Sequence, residues 1–201
     1  MKGQGANQVG EPAKKPAAKF VPVNLLAGEH RRPEFLRLNP AGKVPVLVDG
    51  DLVIPESAAI VFYLADKYRD KGLMPAGLAE RAQAYRWVMF AVTELEQPLW
   101  RITRHTALYP LDKRSQADIA LAKEEFIAMA TMLDRHLEGR RFIVGDGITV
   151  ADCVMAHLID WANELKLIEG FPQLRTYLDR MYTRPTAPQR IADAVAAIRA
   201  A

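Results

Sequence analysis

The sequence predicts a small α/β domain over about residues 20–73, followed by an all-helical domain over about residues 78–201. Before Ser57, apolar residues form short β-rich runs separated by turns. From Ser57 onward they recur every three or four residues, which is the spacing of a helix face. The length of 201 residues suits one or two compact domains.

Residues 1–19 differ from the rest of the chain and predict an irregular basic tail. They contain three glycines and two prolines but no aromatic residue, so no helix or strand period can be read from them. Four lysines and one glutamate give this tail the whole net charge of +3, which leaves 23 basic and 23 acidic residues elsewhere. The folded part is therefore neutral, and lysines alone are weak support for a nucleic-acid partner.

The small domain is predicted from β-type runs, proline positions and turn residues. Its order is a strand over 20–23, a proline-started helical turn over 33–38, a turn over 39–42, a hairpin built from 44–48 and 52–54, and a helix from Ser57 to about Asp70.

The second domain is predicted to consist of helices alone. They are a long helix over about 78–109 bent at Pro98, a helix over about 115–137 closed by Gly139, a helix begun by a capping box at Thr149 and Asp152, a helix opened by Pro172 and a helix after Pro185.

Composition excludes several classes of protein. Half of the residues are apolar and a quarter are charged, which argues against disorder and against a disulfide-rich miniprotein. No apolar run reaches the roughly 18–20 residues of a membrane helix, and the first residues lack the apolar core of a secretory signal. The single cysteine, Cys153, cannot form an internal disulfide, so we expect a cytoplasmic protein.

The segment Lys43-Val44-Pro45-Val46 places a proline where a strand begins. Proline cannot donate to a sheet, so it belongs at a strand start, at an edge or at a cis bend. Spacing alone favours a trans proline at an edge. Lys43, in the turn before the strand, is either a solvated charge or a group that holds a carboxylate.

The segment Pro55-Glu56-Ser57 stands where a strand passes into a helix. Ser57 is a good N-cap, and the free amides of a first helical turn attract an anion. Glu56 beside them could accept from an ammonium group. The pair therefore fits an α-amino acid, although an ordinary capped helix explains the same residues.

These motifs together resemble the cytosolic glutathione S-transferase family, and most closely its bacterial members. The resemblance rests on the run Asn39–Leu47, on Asp49-Gly50, on Glu56–Ile60 and on Ile148–Asp152. It covers about residues 20–200 and implies a thioredoxin-like N-terminal domain, an all-helical C-terminal domain and a two-fold dimer.

The resemblance also implies roles for individual residues. The Val44–Pro45 bond would be cis, so that the backbone of Val44 pairs with the cysteinyl part of glutathione. Glu56 and Ser57 would hold the γ-glutamyl ammonium and carboxylate, and Lys43 would approach the glycyl carboxylate. The capping box would be a folding element of the helical domain.

The residue that activates the glutathione thiol in this family is not found. Family members carry a serine, tyrosine or cysteine after a first strand, because a thiol with a pKa near about 8.5 needs a donor to become a thiolate. Residues 1–19 contain none of these residue types. We therefore expect the first strand of the family fold, and the helix that follows it, to be absent or replaced. Residues 4–9 are a candidate strand, and Asn7 and Gln8 are candidate donors. We expect Cys153 to be a buried thiol.

The electrophile side gives a weaker pattern. Arg101, His105 and Tyr109 are candidates to line it, although a solvated or dimer-facing stripe explains them equally well. No acid-base partner of His105 is evident. The four histidines have no metal-ligand spacing, so no metal is predicted.

The leading hypothesis is a glutathione transferase that joins glutathione, as substrate, to small hydrophobic electrophiles. We expect it to be a cytoplasmic homodimer without nucleic-acid or membrane partners. A glutathione-dependent disulfide reductase or peroxidase is one alternative. A non-catalytic binding module is another, because the thiol-activating segment is not found.

Overall fold

The computed structural model describes residues 18–25 and 27–200. The chain divides into two compact units, Met1–Val44 and Pro45–Ala201, and we describe each by itself. The predicted tail donors Asn7 and Gln8, and the candidate strand over 4–9, lie outside the described residues. Among the described helices, none combines the length and apolar character needed to cross a membrane.

The described part of the first unit contains a 3₁₀ turn over Glu29–Arg31, one short α-helix and a tight turn. Helix α1 spans Pro33–Leu38, and Pro33 occupies its first turn, where a missing N–H costs nothing. The turn that follows is closed by a 2.9 Å hydrogen bond from the Gly42 N–H to the Asn39 carbonyl. Gly42 has φ +62°, and a Cβ there would lie 3.0 Å from the His30 carbonyl oxygen. The predicted turn is therefore confirmed, and glycine is required in it.

The predicted strand over 20–23 is wrong. These residues have no strand conformation, and the side chains of Phe20 and Val21 are 92% and 68% exposed. Pro22 has no N–H to donate to a sheet. Within residues 18–25 and 27–200 the only sheet has two strands, neither of which pairs with this run. Apolar β-type residues without a hydrogen-bonded neighbour do not make a strand.

The second unit opens with the predicted hairpin. Strand β1 spans Val46–Asp49 and pairs antiparallel with β2, Leu52–Pro55. Asp49 faces Leu52, so the loop has two residues, and Gly50 in it has φ +61°. Such loops need positive φ, which glycine supplies. The strand begins at Val46, two residues later than predicted, because Pro45 cannot join the ladder.

Helix α2 spans Ser57–Lys67 and is followed by a 3₁₀ turn over Arg69–Lys71 and by Gly72 at φ +67°. The start was predicted correctly, and the helix is slightly shorter than expected. Its N-cap residue is Glu56, and no side chain caps it. The prediction that Ser57 is the N-cap is therefore wrong by one residue.

The long predicted helix consists of two α-helices and two π-helical turns. Helix α3 spans Leu78–Phe90 and α4 spans Glu96–Thr103, with π turns at Ala91–Leu95 and Arg104–Leu108. Pro98 lacks an N–H, and its ring conflicts with the carbonyl four residues earlier. The π turn directly before α4 widens the backbone at this point. Where the sequence predicted a bend at Pro98, the structure has a change from α-helix to π-helix and back.

The remaining helices follow the predicted order and surround a buried centre. Helix α6, Val150–Glu164, is central. It packs on α2, α3, α4, α7 (Pro172–Tyr182) and α8 (Ile191–Ala200). Its core neighbours include the fully buried side chains of Phe126, Leu133 and Leu174. The helices are α5 over Gln116–His136, α6 over Val150–Glu164, α7 over Pro172–Tyr182 and α8 over Ile191–Ala200.

The predicted capping box at the start of α6 is confirmed. The Asp152 carboxylate accepts the Thr149 N–H at 2.8 Å and the Thr149 hydroxyl at 3.0 Å. Its other oxygen accepts the Ile143 N–H at 2.9 Å and the Tyr177 hydroxyl at 3.1 Å. Asp152 is fully buried, and burial raises its pKa. One carboxylate therefore ties the start of α6 to the preceding loop and to α7.

Candidate functional site

Glu56 and Ser57 form an exposed junction between β2 and α2. Glu56 has φ +74° and ψ 115°, outside the conformations that side chains favour. Its carbonyl accepts the first helical hydrogen bond, from the Ile60 N–H at 3.0 Å. The N–H groups of the first turn, beginning at Ser57, therefore have no partner within the helix. The junction presents amide donors, a hydroxyl and a carboxylate side by side.

Glu56 is a strained non-glycine residue, and such residues cluster at functional sites. A backbone held in a sparsely populated region costs about 1–3 kcal/mol and persists where the surroundings fix it. Here the hairpin lies on one side of Glu56 and the helix on the other. The strained backbone turns the chain from β2 directly into α2, which leaves the helix N-terminus uncovered by an ordinary side-chain cap.

A hydrogen bond and an ion pair join the hairpin to α2. The Tyr63 hydroxyl donates to the Asp49 carboxylate at 2.7 Å, and Lys67 forms an ion pair with the same oxygen. The hydrogen bond from Lys67, followed by that from Tyr63, lowers the pKa of Asp49. The same bond to Asp49 raises the pKa of Tyr63. The loop end of the hairpin is therefore fixed to the helix that carries Ser57.

Pro45 reaches this junction through the strand register. Val46 pairs with Pro55, so Pro45 and Glu56 stand next to each other at the open end of the hairpin. Both are exposed. The structure thus brings together three of the five predicted glutathione-binding residues, Pro45, Glu56 and Ser57.

The other two predicted residues, Lys43 and Val44, belong to the first unit. Both are exposed. The carbonyl of Lys43 accepts the Asn39 side-chain N–H at 2.7 Å, and the Asn39 side-chain oxygen accepts the Ala41 N–H at 3.1 Å. Asn39 is 5% exposed. This asparagine fixes the turn that carries Lys43, and sequence reasoning treated it only as a turn former.

The predicted electrophile-side residues lie at the end of the long helical segment. Arg101 donates through Nε to Asp118 at 3.1 Å and forms an ion pair with Glu125. These contacts hold the pKa of Arg101 above its usual range and lower that of Asp118. The ring of His105 meets that of Tyr109 edge to face at 5.1 Å. The structure therefore places all three candidates near the start of α5, with Arg101 already paired.

His105 has a partner that the sequence did not reveal. Its Nε2 lies 2.9 Å from the Asp118 carboxylate, and its Nδ1 accepts the Ser115 N–H at 3.0 Å. Ser115 caps α5 by accepting the Asp118 N–H at 3.1 Å. The spacing Ser115-x-x-Asp118 is itself a helix-start signature. That signature could have indicated where the carboxylate stands, although not that His105 reaches it.

Cys153 agrees with its prediction only in part. The thiol is partly exposed, and burial raises its pKa. A raised pKa disfavours the thiolate, so this cysteine is a poor nucleophile. Among the residues that the structure describes, no group of three or more His, Cys, Asp or Glu side chains is arranged to hold a metal ion.

Comparisons with known proteins agree with this architecture. The model of the glutathione S-transferase N-terminal domain matches residues 11–66, and that of the C-terminal domain matches residues 58–185. Glutathione S-transferase F9 of Arabidopsis thaliana is 34% identical over 88% of this chain and 86% of its own length. Glutathione S-transferase GST-4.5 of Xanthomonas campestris is 34% identical over 77% of both chains.

A solved structure extends the likeness to three dimensions. The glutathione transferase URE2P8 of Phanerochaete chrysosporium, solved with oxidized glutathione, is 27% identical, with a TM-score of 0.74 over 84% of this chain and 79% of its own. The two domain matches correspond to a thioredoxin-like N-terminal domain and an all-helical C-terminal domain, as the sequence predicted. On this evidence, the chain belongs to the glutathione S-transferase family.

Proposed function

We propose that this glutathione transferase holds the γ-glutamyl end of glutathione at Glu56 and Ser57 and joins the glutathione thiolate to small hydrophobic electrophiles. The observation that carries the proposal is the strained Glu56 backbone next to the unpartnered amides of α2. The γ-glutamyl group has an ammonium and a carboxylate on one carbon. The Glu56 side chain complements the first charge, and the helix start complements the second.

We propose that the remainder of the peptide uses the residues of the Lys43–Pro45 segment. Its support is the family resemblance of this segment and the exposure of its residues. In the proposal the Val44–Pro45 bond is cis, the Val44 backbone pairs with the cysteinyl part, and Lys43 binds the glycyl carboxylate. The Asn39 contact with the Lys43 carbonyl holds the turn in place.

The proposed reaction is a nucleophilic substitution or addition. The glutathione sulfur forms a bond to an electrophilic carbon, and the leaving group takes the electron pair of the bond that breaks. The protein orients the two reactants and stabilises the thiolate. The stabilising donor is not assigned. Asn7 or Gln8 in the tail are candidates, and they lie outside the described residues.

On the electrophile side we propose Arg101, His105 and Tyr109 as lining residues. Tyr109 is the exposed member of the three, while Arg101 and His105 already contact Asp118. We therefore expect Tyr109 to contact substrate and the other two to hold the helix end that carries it.

The proposal includes a cytoplasmic homodimer without nucleic-acid or membrane partners. Exposed apolar side chains on α3, Tyr85 and Met89, support association with a second copy. Light scattering measures the mass of the assembly directly.

Three further expectations remain predictions: the domain limits of about 20–73 and 78–201, the replacement of the first strand and helix, and the bacterial grouping. The Arabidopsis thaliana and Xanthomonas campestris relatives named above are each 34% identical to this chain.

Isothermal titration calorimetry with glutathione tests the site. Glu56→Ala removes the partner of the ammonium group, and losing a charged hydrogen bond worth about 1.5–3 kcal/mol weakens binding at least about tenfold. Glu124→Ala, at an exposed glutamate on α5, is the matched control and should bind like the parent chain. Equal affinity of both variants would reject the site.

Conjugation of a chloronitrobenzene then tests the reaction. Turnover that falls in Glu56→Ala and persists in Glu124→Ala supports the transferase at this site. Glutathione binding without conjugation, and with disulfide reduction in its place, would instead favour the reductase alternative. Binding without either activity would favour a binding module.

A further inference from the structure

The chain after α4 holds Tyr109 in an exposed position through three contacts. The Tyr109 N–H donates to the Arg104 carbonyl at 2.8 Å and closes the π turn. The Tyr109 carbonyl accepts Nε of Arg114 at 2.9 Å, and the ring meets that of His105 edge to face at 5.1 Å. Turns of this type occur frequently at functional sites. The exposed ring of Tyr109 is therefore fixed in place by the protein itself.

Arg114 is half-buried, and its hydrogen bond to Tyr109 uses only Nε. Among the described residues, no carboxylate lies within 4.0 Å of its guanidinium nitrogens. Arg101, by contrast, is paired with both Asp118 and Glu125. A charge partly removed from water without a counter-ion is costly. The edge of the Arg114 guanidinium that carries the two terminal nitrogens is therefore open to an anion.

The surroundings of Arg114 in the sequence are basic. Residues 104–114 contain three arginine or lysine residues and a single acid, Asp112, which gives a net charge of +2 with His105 neutral. Arg104 lies over Trp100, with its guanidinium 5.7 Å from the ring centre. Asp112 and Lys113 are both exposed, and their charges offset each other. The segment therefore favours a negatively charged group.

We propose that Arg114 selects electrophiles that carry a carboxylate. The two terminal nitrogens of Arg114 bind the carboxylate, and the body of the electrophile lies against the Tyr109 ring. Arginine presents parallel N–H groups that match a carboxylate, and an aromatic ring supplies apolar contact area. The inference rests on the proposed function, to which it adds a substrate class and a specificity-determining residue. Arg101 and His105 do not take part, because Asp118 already holds both.

An aryl chloride with two nitro groups is a suitable probe of this selection. In 4-chloro-3,5-dinitrobenzoate the glutathione sulfur bonds to the carbon that carries chlorine, chloride leaves with the electron pair of the broken bond, and the thiol proton passes to solvent. The carboxylate stands on the opposite side of the ring, so Arg114 can hold it without obstructing the sulfur. The compound 4-chloro-3,5-dinitrobenzamide has the same ring and leaving group without the charge.

Conjugation of the two compounds by the full chain tests the proposal. Each kcat/KM is divided by the uncatalysed rate with glutathione, and the ratio of carboxylate to carboxamide is the readout. We expect this ratio to be at least about ten in the parent chain, the effect of one charged hydrogen bond. Arg114→Gln should bring the ratio near about one, and Arg114→Lys, which keeps the charge without the paired N–H groups, should give an intermediate value.

The matched control is Lys113→Gln, at the neighbouring exposed lysine. It removes one positive charge from the same segment and should keep the parental ratio. A parent chain that does not favour the carboxylate would overturn the proposal. The same holds if Arg114→Gln keeps the parental ratio, or if Lys113→Gln lowers it as far as Arg114→Gln does, since a general charge effect would then explain the selection.

A binding measurement separates this proposal from the proposed function. Because 3,5-dinitrobenzoate and 3,5-dinitrobenzamide have no chlorine and do not react, calorimetry with them needs no glutathione. Tighter binding of the benzoate, lost in Arg114→Gln, supports the arginine contact whether or not glutathione binds at Glu56. Tyr109→Ala should weaken both compounds, because they share the ring contact. Equal affinity for both compounds in the parent chain, with conjugation of the neutral substrate intact, would reject the selection by Arg114 and leave the transferase function standing.

Discussion

The Nδ1 atom of His105 accepts the backbone N–H of Ser115 at 3.0 Å. Since Nδ1 is an acceptor, the ring proton of the neutral imidazole is on Nε2, which faces the Asp118 carboxylate at 2.9 Å. The ring thus bridges the N-cap of α5 and a carboxylate in its first turn. It joins the end of one long helical segment to the start of the next.

Replacing His105 should therefore destabilise the fold. His105→Ala removes two hydrogen bonds and leaves the Ser115 N–H unpaired, so the free energy of unfolding should fall by about 1–3 kcal/mol. Chemical denaturation measures this value. His157→Ala, at an exposed histidine on α6, should change stability by less than about 0.5 kcal/mol. Equal effects of the two substitutions would contradict the bridging role.

The pairing of Arg190 with Asp160 predicts how α8 is held. Asp160 is fully buried and accepts the Arg190 Nε at 2.9 Å and the Ile191 N–H at 2.8 Å. Arg190→Ala leaves a buried carboxylate without its ion pair, at a cost of about 3–5 kcal/mol. Hydrogen exchange should then rise first in α8.

Two controls apply to the α8 prediction. Arg175→Ala, at an exposed arginine on α7, should leave exchange in α8 unchanged. Asp160→Asn in the Arg190→Ala background should recover part of the lost stability, because the uncompensated charge is gone. If α8 exchanges no faster in Arg190→Ala, this ion pair does not hold the helix.

The sequence predicted correctly those elements that depend on interactions between residues a few positions apart. The capping box at Thr149 and Asp152 was found as predicted, because a serine or threonine and an acid at this spacing satisfy each other's helix-end groups. The hairpin was found because Gly50 supplies the conformation that a two-residue loop needs. In both cases the interacting residues lie within a few positions of each other.

Other features depend on contacts that sequence spacing does not encode. The run over 20–23 has β-type residues, yet a strand also needs a neighbour. The N-cap of α2 is Glu56, in a strained conformation, and no residue preference favours glutamate at that position. Residue chemistry pointed only to an α-amino acid at Glu56 and Ser57, and the assignment to glutathione came from the family resemblance.

The decrease in the free energy of unfolding at acid pH should depend on Asp118. Hydrogen bonding to Arg101, with His105 nearby, lowers the pKa of Asp118 below its ordinary 3.8. A lowered folded pKa means that the ionised native state is favoured, so this stability is present above pH 3.8 and is lost as the pH falls through the folded pKa. Asp118→Asn should therefore lower stability at neutral pH and flatten its decline below about pH 4.

Denaturation curves across the acid range measure the Asp118 effect. Asp112→Asn, at an exposed aspartate before α5, is the comparison and should leave the slope unchanged. An unaltered slope in Asp118→Asn would show that its pairing with Arg101 does not contribute.

The strain at Glu56 predicts that glycine at this position relieves the backbone but weakens glutathione binding. At φ +74° and ψ 115° a Cβ adds strain that glycine avoids, so Glu56→Gly should be about 1–2 kcal/mol more stable than Glu56→Ala. Both variants lack the carboxylate and should bind glutathione equally weakly.

Lys166→Gly is the control, at the other described non-glycine residue with positive φ, +57°. It should gain a smaller amount of stability than a glycine at Glu56, because the backbone of Lys166 is nearer the left-handed helical region. It should keep parental glutathione affinity. Thermal unfolding and calorimetry on the three proteins decide the matter: if Glu56→Gly is no more stable than Glu56→Ala, the backbone at this junction stores no strain.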